Sequence, residues 1–283
     1  MGIENVLNKI VEELNDIPGV IGIVLGGSRA RGNNLENSDI DIGIYYDEYL
    51  GFNTEDLSVA AAKLDDEHRE NLVTPIGGWG PWVNAGGWLT IDGYHVDFIL
   101  RDIDRVEEEI NDCIEGKITT NYQTGHPHGY LNVMYMGEVS ICNILLDKYK
   151  KIAQLKNKTK PYPKRLKDVM VNYFMFEACF SLMHAESNID KDDISYVAGH
   201  IFRSVSCLNQ LLFAANEEYC INEKRAVKII DSFEIKPKNY KKRIDEIFTL
   251  ISSNPEDTKK AVEILKEIID EVDIDSRIES LLH

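Results

Sequence analysis

From Asp39 to Tyr46 the chain reads D-I-D-I-G-I-Y-Y, with polar and apolar residues in alternation. Successive side chains of a strand point to opposite faces of a sheet. The segment therefore reads as a strand that sends Ile40, Ile42 and Ile44 into a core and holds Asp39 and Asp41 together on the other face. An earlier run, Gly19 to Leu25 (GVIGIVL), is apolar and rich in β-branched residues, and reads as a buried strand. Between the two lies a polar, glycine-rich turn, GGSRARGNN. A later pair of runs, Trp88 to Ile91 and Tyr94 to Leu100, is joined by Asp92-Gly93, a strong signal for a tight hairpin. In the second of these, Val96, Phe98 and Leu100 form the apolar face, and His95, Asp97 and Ile99 form the other.

The rest of the chain separates into two styles. Ile3 to Leu14 carries apolar residues at helical spacing, Glu55 to Asn71 and Asp104 to Glu115 read as helices, and Pro75 to Gly87 as irregular. Lys156 to Lys164 (KNKTKPYPK) is basic and proline-containing and reads as a linker. Beyond it every segment reads as helix: Arg165 to Glu186, Asp192 to Asn216, Asn222 to Ser232, Tyr240 to Ser252 and Pro255 to Val272. The first two are apolar on most faces and are expected at the centre of a bundle. The expected organisation is an α/β domain over residues 1–155 and an all-helical, substrate-binding bundle over 156–283, with the active site in the cleft between them.

Composition narrows the partners. The 283 residues include 48 Asp and Glu against 31 Lys and Arg, a formal net charge of -17. Such a surface repels phosphate backbones and anionic lipid, so neither nucleic acid nor membrane is expected as a partner. It is compatible with a cationic small molecule. The five cysteines are odd in number and show no CxxC spacing, which reads as a reduced cytoplasmic chain. No apolar stretch reaches the roughly 18 residues of a membrane span, and the first fifteen residues lack the pattern of a signal peptide.

The chemistry concentrates between Leu25 and Asp97. Two carboxylates side by side on one strand face repel each other, and a divalent cation between them relieves this. Backbone N–H groups at a glycine turn that opens a helix are donors for phosphate oxygens. Ser28 can add its hydroxyl, and Arg29 or Arg31 its guanidinium. If the Tyr94–Leu100 strand lies beside Asp39–Ile44, Asp97 faces the same site, where it could bind a metal or take a proton from an attacking hydroxyl.

Leu25, Gly26, Gly27, Ser28, a ten-residue spacer, Asp39, Asp41 and then Asp97 resemble the signature of the polymerase β-type nucleotidyltransferase superfamily. The resemblance covers about the first hundred residues. It implies a nucleotidyltransferase domain of the α/β (α+β) class with a mixed sheet. The addition of a helical bundle resembles the bacterial antibiotic nucleotidyltransferases, which act on aminoglycosides or lincosamides. By that resemblance Asp39, Asp41 and Asp97 hold two Mg²⁺ ions, Asp97 is ligand or base, and Gly27, Ser28 and Arg31 contact the phosphates of a nucleoside triphosphate such as ATP. A hydroxyl of the small-molecule acceptor attacks the α-phosphate, pyrophosphate leaves, and antibiotic resistance is the implied role. The alternatives are an AMP-transferring, protein-modifying enzyme of the toxin–antitoxin type, or a nucleotide-binding regulatory protein without turnover. The oligomeric state is not legible.

Several other residues stand out. The loop Gly125-His126-Pro127-His128-Gly129 places two histidines close together, but no third ligand is near, and it reads as a structured loop. Trp79, Trp82 and Trp88 could stack on a base or an acceptor ring, with loop packing the plainer reading. Glu138 and Glu177 lie in apolar surroundings and could face the cleft and receive a substrate amine or proton, with a partner within the fold or a surface edge the plainer reading. Tyr196, His200 and Arg203 share a helix face that could line the cleft and touch the nucleotide or acceptor, with a polar network between bundle helices the plainer reading.

Overall fold

The computed structural model describes residues 2–32, 35 and 38–282, with side chains described as far as residue 272. The chain divides into two compact units. One comprises Met1–Cys113 and Thr119–Pro161, the other Ile114–Ile118 and Tyr162–His283. Among the described residues no helix is long and apolar enough to cross a membrane.

The first unit runs α1 (Ile3–Leu14), β1 (Val20–Leu25), α2 (Gly27–Arg31), β2 (Ile40–Tyr46), α3 (Thr54–Leu64), β3 (Ala85–Ile91), β4 (Tyr94–Asp102), α4 (Ile103–Ile114), β5 (Thr120–Asn121), β6 (Tyr130–Leu131), α5 (Val133–Ile141), β7 (Asn143–Asp147) and α6 (Lys151–Lys158). Five strands form one sheet in the order β3-β4-β2-β1-β7. β2 and β4 are parallel, and every other neighbouring pair is antiparallel, so the sheet is mixed. β1 lies between β2 and β7 and is buried along its whole length, as its unbroken apolar run requires. The alternating strands bury one face: Ile40, Ile42 and Ile44 pack with Val96, Phe98 and Leu100 against Val6, Ile10 and Leu14 of α1 and Leu57, Ala60 and Ala61 of α3. Burying a side chain of this size contributes roughly 1.5–3 kcal/mol. This layer holds the opposite sheet face rigidly in place.

The β3–β4 hairpin turns at Asp92 (φ 50°) and Gly93 (φ 79°), the two left-handed residues of a tight turn. The Asp66 carboxylate accepts both turn N–H groups at 2.8 Å, and the Lys9 ammonium meets the Asp92 carboxylate at 2.7 Å. α3 stops at Leu64 instead of running to Asn71. The reason is Asp65, whose buried carboxylate turns toward β3 and accepts the Thr90 N–H at 2.9 Å and the Arg69 guanidinium Nε–H at 2.9 Å. β3 begins at Ala85, inside the stretch expected to be irregular. α6 extends through Lys158 and so enters the segment read as a linker.

The second unit holds α7 (Lys164–Glu186), α8 (Ile194–Ala215), α9 (Ala226–Ile230), α10 (Tyr240–Leu250) and α11 (Pro255–Leu282), the helical region expected at the C-terminus. α8 is buried on all sides from Ser204 to Ala215. Its Asn209 carbonyl oxygen accepts the Tyr240 hydroxyl at 2.8 Å inside the bundle. α7 is one-sided: Met170, Phe174 and Ala178 are buried, whereas Tyr173, Phe176, Phe180 and Met183 are exposed.

Candidate active site

The site begins where β1 ends. The Gly26 N–H donates to the Asp41 carbonyl at 2.8 Å, fastening the turn to β2. Gly27 has φ +59°, a conformation that costs a residue with a Cβ roughly 1–2 kcal/mol. A Cβ at Gly27 would also lie 1.8 Å from the Asp41 Oδ2. Glycine is therefore required twice, once by the backbone and once because the Asp41 carboxylate occupies the space a side chain would take. Ser28, half-buried, lies within α2 and does not cap it; Gly26 takes the capping position. Arg31, also half-buried, closes the same short helix.

Arg29 performs a task its sequence position does not announce. Its Nε–H donates to the carbonyls of Ser38 and Asp39, at 3.1 Å each, and its Nη2 also bonds the Ser38 carbonyl. The guanidinium thus ties α2 to the chain entering β2. Carbonyl acceptors carry no sequence signature, which is why this anchor could not be read in advance.

Strand register brings the predicted carboxylates into relation. β2 and β4 run parallel with Asp41 directly beside Asp97, and both residues are half-buried. Neighbouring strands lie about 4.8 Å apart, so the two carboxyl groups share one small area of the sheet face. Asp39 precedes β2 by one residue and is exposed. Among the described residues no group of three or more His, Cys, Asp or Glu is gathered where it could hold a metal ion. The adjacent carboxylates of Asp41 and Asp97 nonetheless fit a hard divalent cation, which takes one or two carboxylates and fills its other positions with water or phosphate oxygen.

Two pleats beyond Asp97 on the same strand, Arg101 is buried and bound by two parallel contacts of 2.7 Å to the Glu138 carboxylate on α5. Its Nη1–H donates to the Val83 carbonyl at 2.7 Å, and the guanidinium lies 5.3 Å from the Tyr135 ring centre. Burial opposes the charge on Arg101, but the Glu138 carboxylate together with Tyr130 and Tyr135 outweighs it and holds the guanidinium above its usual range. Burial also pushes the Tyr45 and Tyr130 hydroxyls well up, so both stay neutral. Glu138 is thus committed to holding α5 against the sheet face that carries Asp41 and Asp97.

The three tryptophans divide. Trp82 sits in a packed cluster, with the Arg105 guanidinium 4.3 Å from its ring centre and Tyr130 at 5.7 Å. Gln123 fixes the same loop: its carbonyl accepts the Trp82 and Val83 N–H groups at 3.1 and 3.2 Å, and its amide donates to the Trp79 carbonyl at 2.5 Å. Trp79 and Trp88 instead stack on each other, ring centres 4.9 Å apart. His126 meets Tyr130 edge-on at 5.2 Å. In the helical unit, Arg203 on α8 pairs with Glu177 on α7, Nε to Oε2 being 3.2 Å. Tyr196 and His184 flank the His200 ring, at 4.4 and 5.0 Å. Burial, then His184 and Arg203, lowers the His200 pKa.

Comparison with known proteins bears on the first unit. The nucleotidyltransferase domain family matches residues 7–119, a span that includes Gly27, Ser28, Asp39, Asp41 and Asp97. The match supports a transferase, and nucleotidyl transfer in general, with a nucleoside triphosphate as co-substrate. Among solved structures, the chain resembles a nucleotidyltransferase-like protein from Exiguobacterium sibiricum 255-15. The identity is 11% and the TM-score 0.46, covering 95% of this chain and 75% of that one. No curated protein matches the chain in sequence.

Proposed function

We propose that this protein transfers a nucleoside monophosphate from a nucleoside triphosphate to a hydroxyl of a small molecule in the presence of Mg²⁺. The observation that carries the proposal is the register of Asp41 beside Asp97, with the carboxylate of Asp41 seated where a side chain of Gly27 would be. Asp39, Asp41 and Asp97 would hold Mg²⁺, which when bound neutralises phosphate charge and polarises the α-phosphate. Gly27, Ser28 and Arg31 bind the phosphates at the β1 end of the site. Asp97 receives the acceptor's proton as the acceptor oxygen bonds to the α-phosphorus. The bond from that phosphorus to the bridging oxygen breaks, and pyrophosphate departs.

The catalytic groups all belong to residues 1–155, and the helical residues 156–283 serve acceptor recognition. The net charge of -17 favours a cationic acceptor of the aminoglycoside or lincosamide kind through electrostatic steering. Resistance to such a compound follows from that acceptor, and the odd cysteines without CxxC spacing support a cytoplasmic location. The test is pyrophosphate release from each of the four triphosphates with Mg²⁺ and a panel of these antibiotics, with mass spectrometry of the product. The expected result is an acceptor heavier by one nucleoside monophosphate and no product from Asp41→Asn. Equal product from wild type and Asp41→Asn would refute the assignment.

A further inference from the structure

The most exposed of the three tryptophans stands beside the carboxylate pair. Trp88 of β3 lies directly opposite Asp97 in the antiparallel register, so its indole projects from the same sheet face as Asp97 and Asp41. It is 65% exposed, unusual for so large an apolar side chain. It is also held in place. Trp79 stacks against it at 4.9 Å and an interplanar angle of 27°. Trp79 in turn lies flat on the strand, because Gly86 has no side chain: a Cβ there would sit 2.4 Å from the Trp79 ring. The Trp79 carbonyl is fixed by Gln123, and its N–H donates to the Asn84 carbonyl at 2.8 Å. The result is a rigid indole, supported from behind and open in front.

The sheet order says which reactant meets it. Across β3, β4 and β2 stand Trp88, Asp97 and Asp41, and the Gly27 turn follows β1 beyond them. On the nucleotidyl-transfer reading, on which this inference rests, the departing pyrophosphate lies toward Gly27. An incoming oxygen approaches the phosphorus roughly in line with the leaving group, hence from the opposite side. That side is the one where Asp97 and Trp88 stand.

We propose that Trp88, backed by Trp79, is the acceptor platform: the ring of a small alcohol lies on the indole and so presents its hydroxyl to Asp97. The ligand class is a hydroxylated ring compound. An ammonium on that ring strengthens the contact through the negative face of the indole.

The test is calorimetric titration of the full chain and of Trp88→Ala, Trp88→Phe and Trp79→Ala. One arm titrates the four nucleoside triphosphates with Mg²⁺, and the other titrates kanamycin, lincomycin and inositol as ring alcohols. Circular dichroism checks that each variant folds, which the exposure of Trp88 favours. Trp88→Ala is expected to weaken ring-alcohol binding about tenfold and to leave triphosphate dissociation constants within about twofold. Trp88→Phe loses less, and Trp79→Ala falls between. Equal weakening of triphosphate binding would make the indole a base-stacking residue and overturn the proposal. So would ring-alcohol binding that is unchanged in Trp88→Ala or missing in the wild type. Absence of triphosphate binding in the wild type would strike the nucleotidyl-transfer reading itself, while the ring-alcohol arm still decides the platform.

Discussion

Gly27→Ala tests the core of the site, and a second glycine supplies its control. Two costs meet at position 27. The left-handed backbone (φ +59°) costs an alanine roughly 1–2 kcal/mol. The new Cβ would also sit 1.8 Å from the Asp41 Oδ2 and 2.6 Å from its Cγ, so the carboxylate must move by more than an ångström to reach ordinary contact. A displacement of about 1 Å in a reacting group can cost on the order of 100-fold in rate. Gly32, at the end of the same short helix, has φ +76°, but among the described residues nothing lies within 4 Å of a Cβ there. Gly32→Ala therefore meets the backbone cost without the collision. Both variants are expected to lower the melting temperature of the chain by a few degrees, at about 2–4 °C per kcal/mol. Only Gly27→Ala is expected to lose pyrophosphate release, by about 100-fold. Thermal melts and a coupled pyrophosphate assay on the two purified variants read both quantities. Equal activity in Gly27→Ala and Gly32→Ala would refute the reasoning, since the carboxylate would then not be held by the space at Gly27.

Two further outcomes follow from the polar anchors of the first unit. Glu138→Ala strands the buried charge of Arg101 and is expected to cost about 3 kcal/mol, whereas Arg101→Met removes the charge with its burial and costs less; a urea titration in which Arg101→Met is the weaker variant would contradict this. Asp65 is held below its usual pKa by the Arg69 guanidinium and by N–H donors from Thr90 and Arg69. The unfolded chain then binds the proton first, so this contribution is complete above about pH 5 and is lost progressively as the pH falls through about 4. The stability gap between wild type and Asp65→Asn should narrow from pH 5 to pH 3, and a gap that widens on acidification would show the opposite sign.

What could be read from the sequence, and what could not, divides along the range of the interactions involved. Alternation placed Asp41 opposite Ile40 and Ile42, because the pleat alone decides it, while Asp39 stands one residue before β2. The Asp92-Gly93 turn was legible for the same reason, since two left-handed residues at a hairpin select that pair. Asp97 was legible only conditionally. Its place beside Asp41 needs β4 to lie next to β2 in parallel register, and that neighbourhood is set by the whole sheet. The early end of α3 was not legible, because Asp65 answers to a strand 25 residues later. Nor were the Arg29 bonds to main-chain carbonyls or the Arg101–Glu138 pair across 37 residues. The apolar residues of α5 and β7 show neither period clearly: α5 is buried on almost every face and β7 is only five residues long. The same division applies to Trp88. Trp88 opens a strand run, but taken with Trp79 and Trp82 its plainer reading is packing, and for Trp82 packing is what the structure shows. Only the hairpin register separates Trp88 from the others, by setting it opposite Asp97 with its face open. A residue type therefore announced the chemistry available, and the pairing of strands decided which copy of that residue stands where the chemistry is needed.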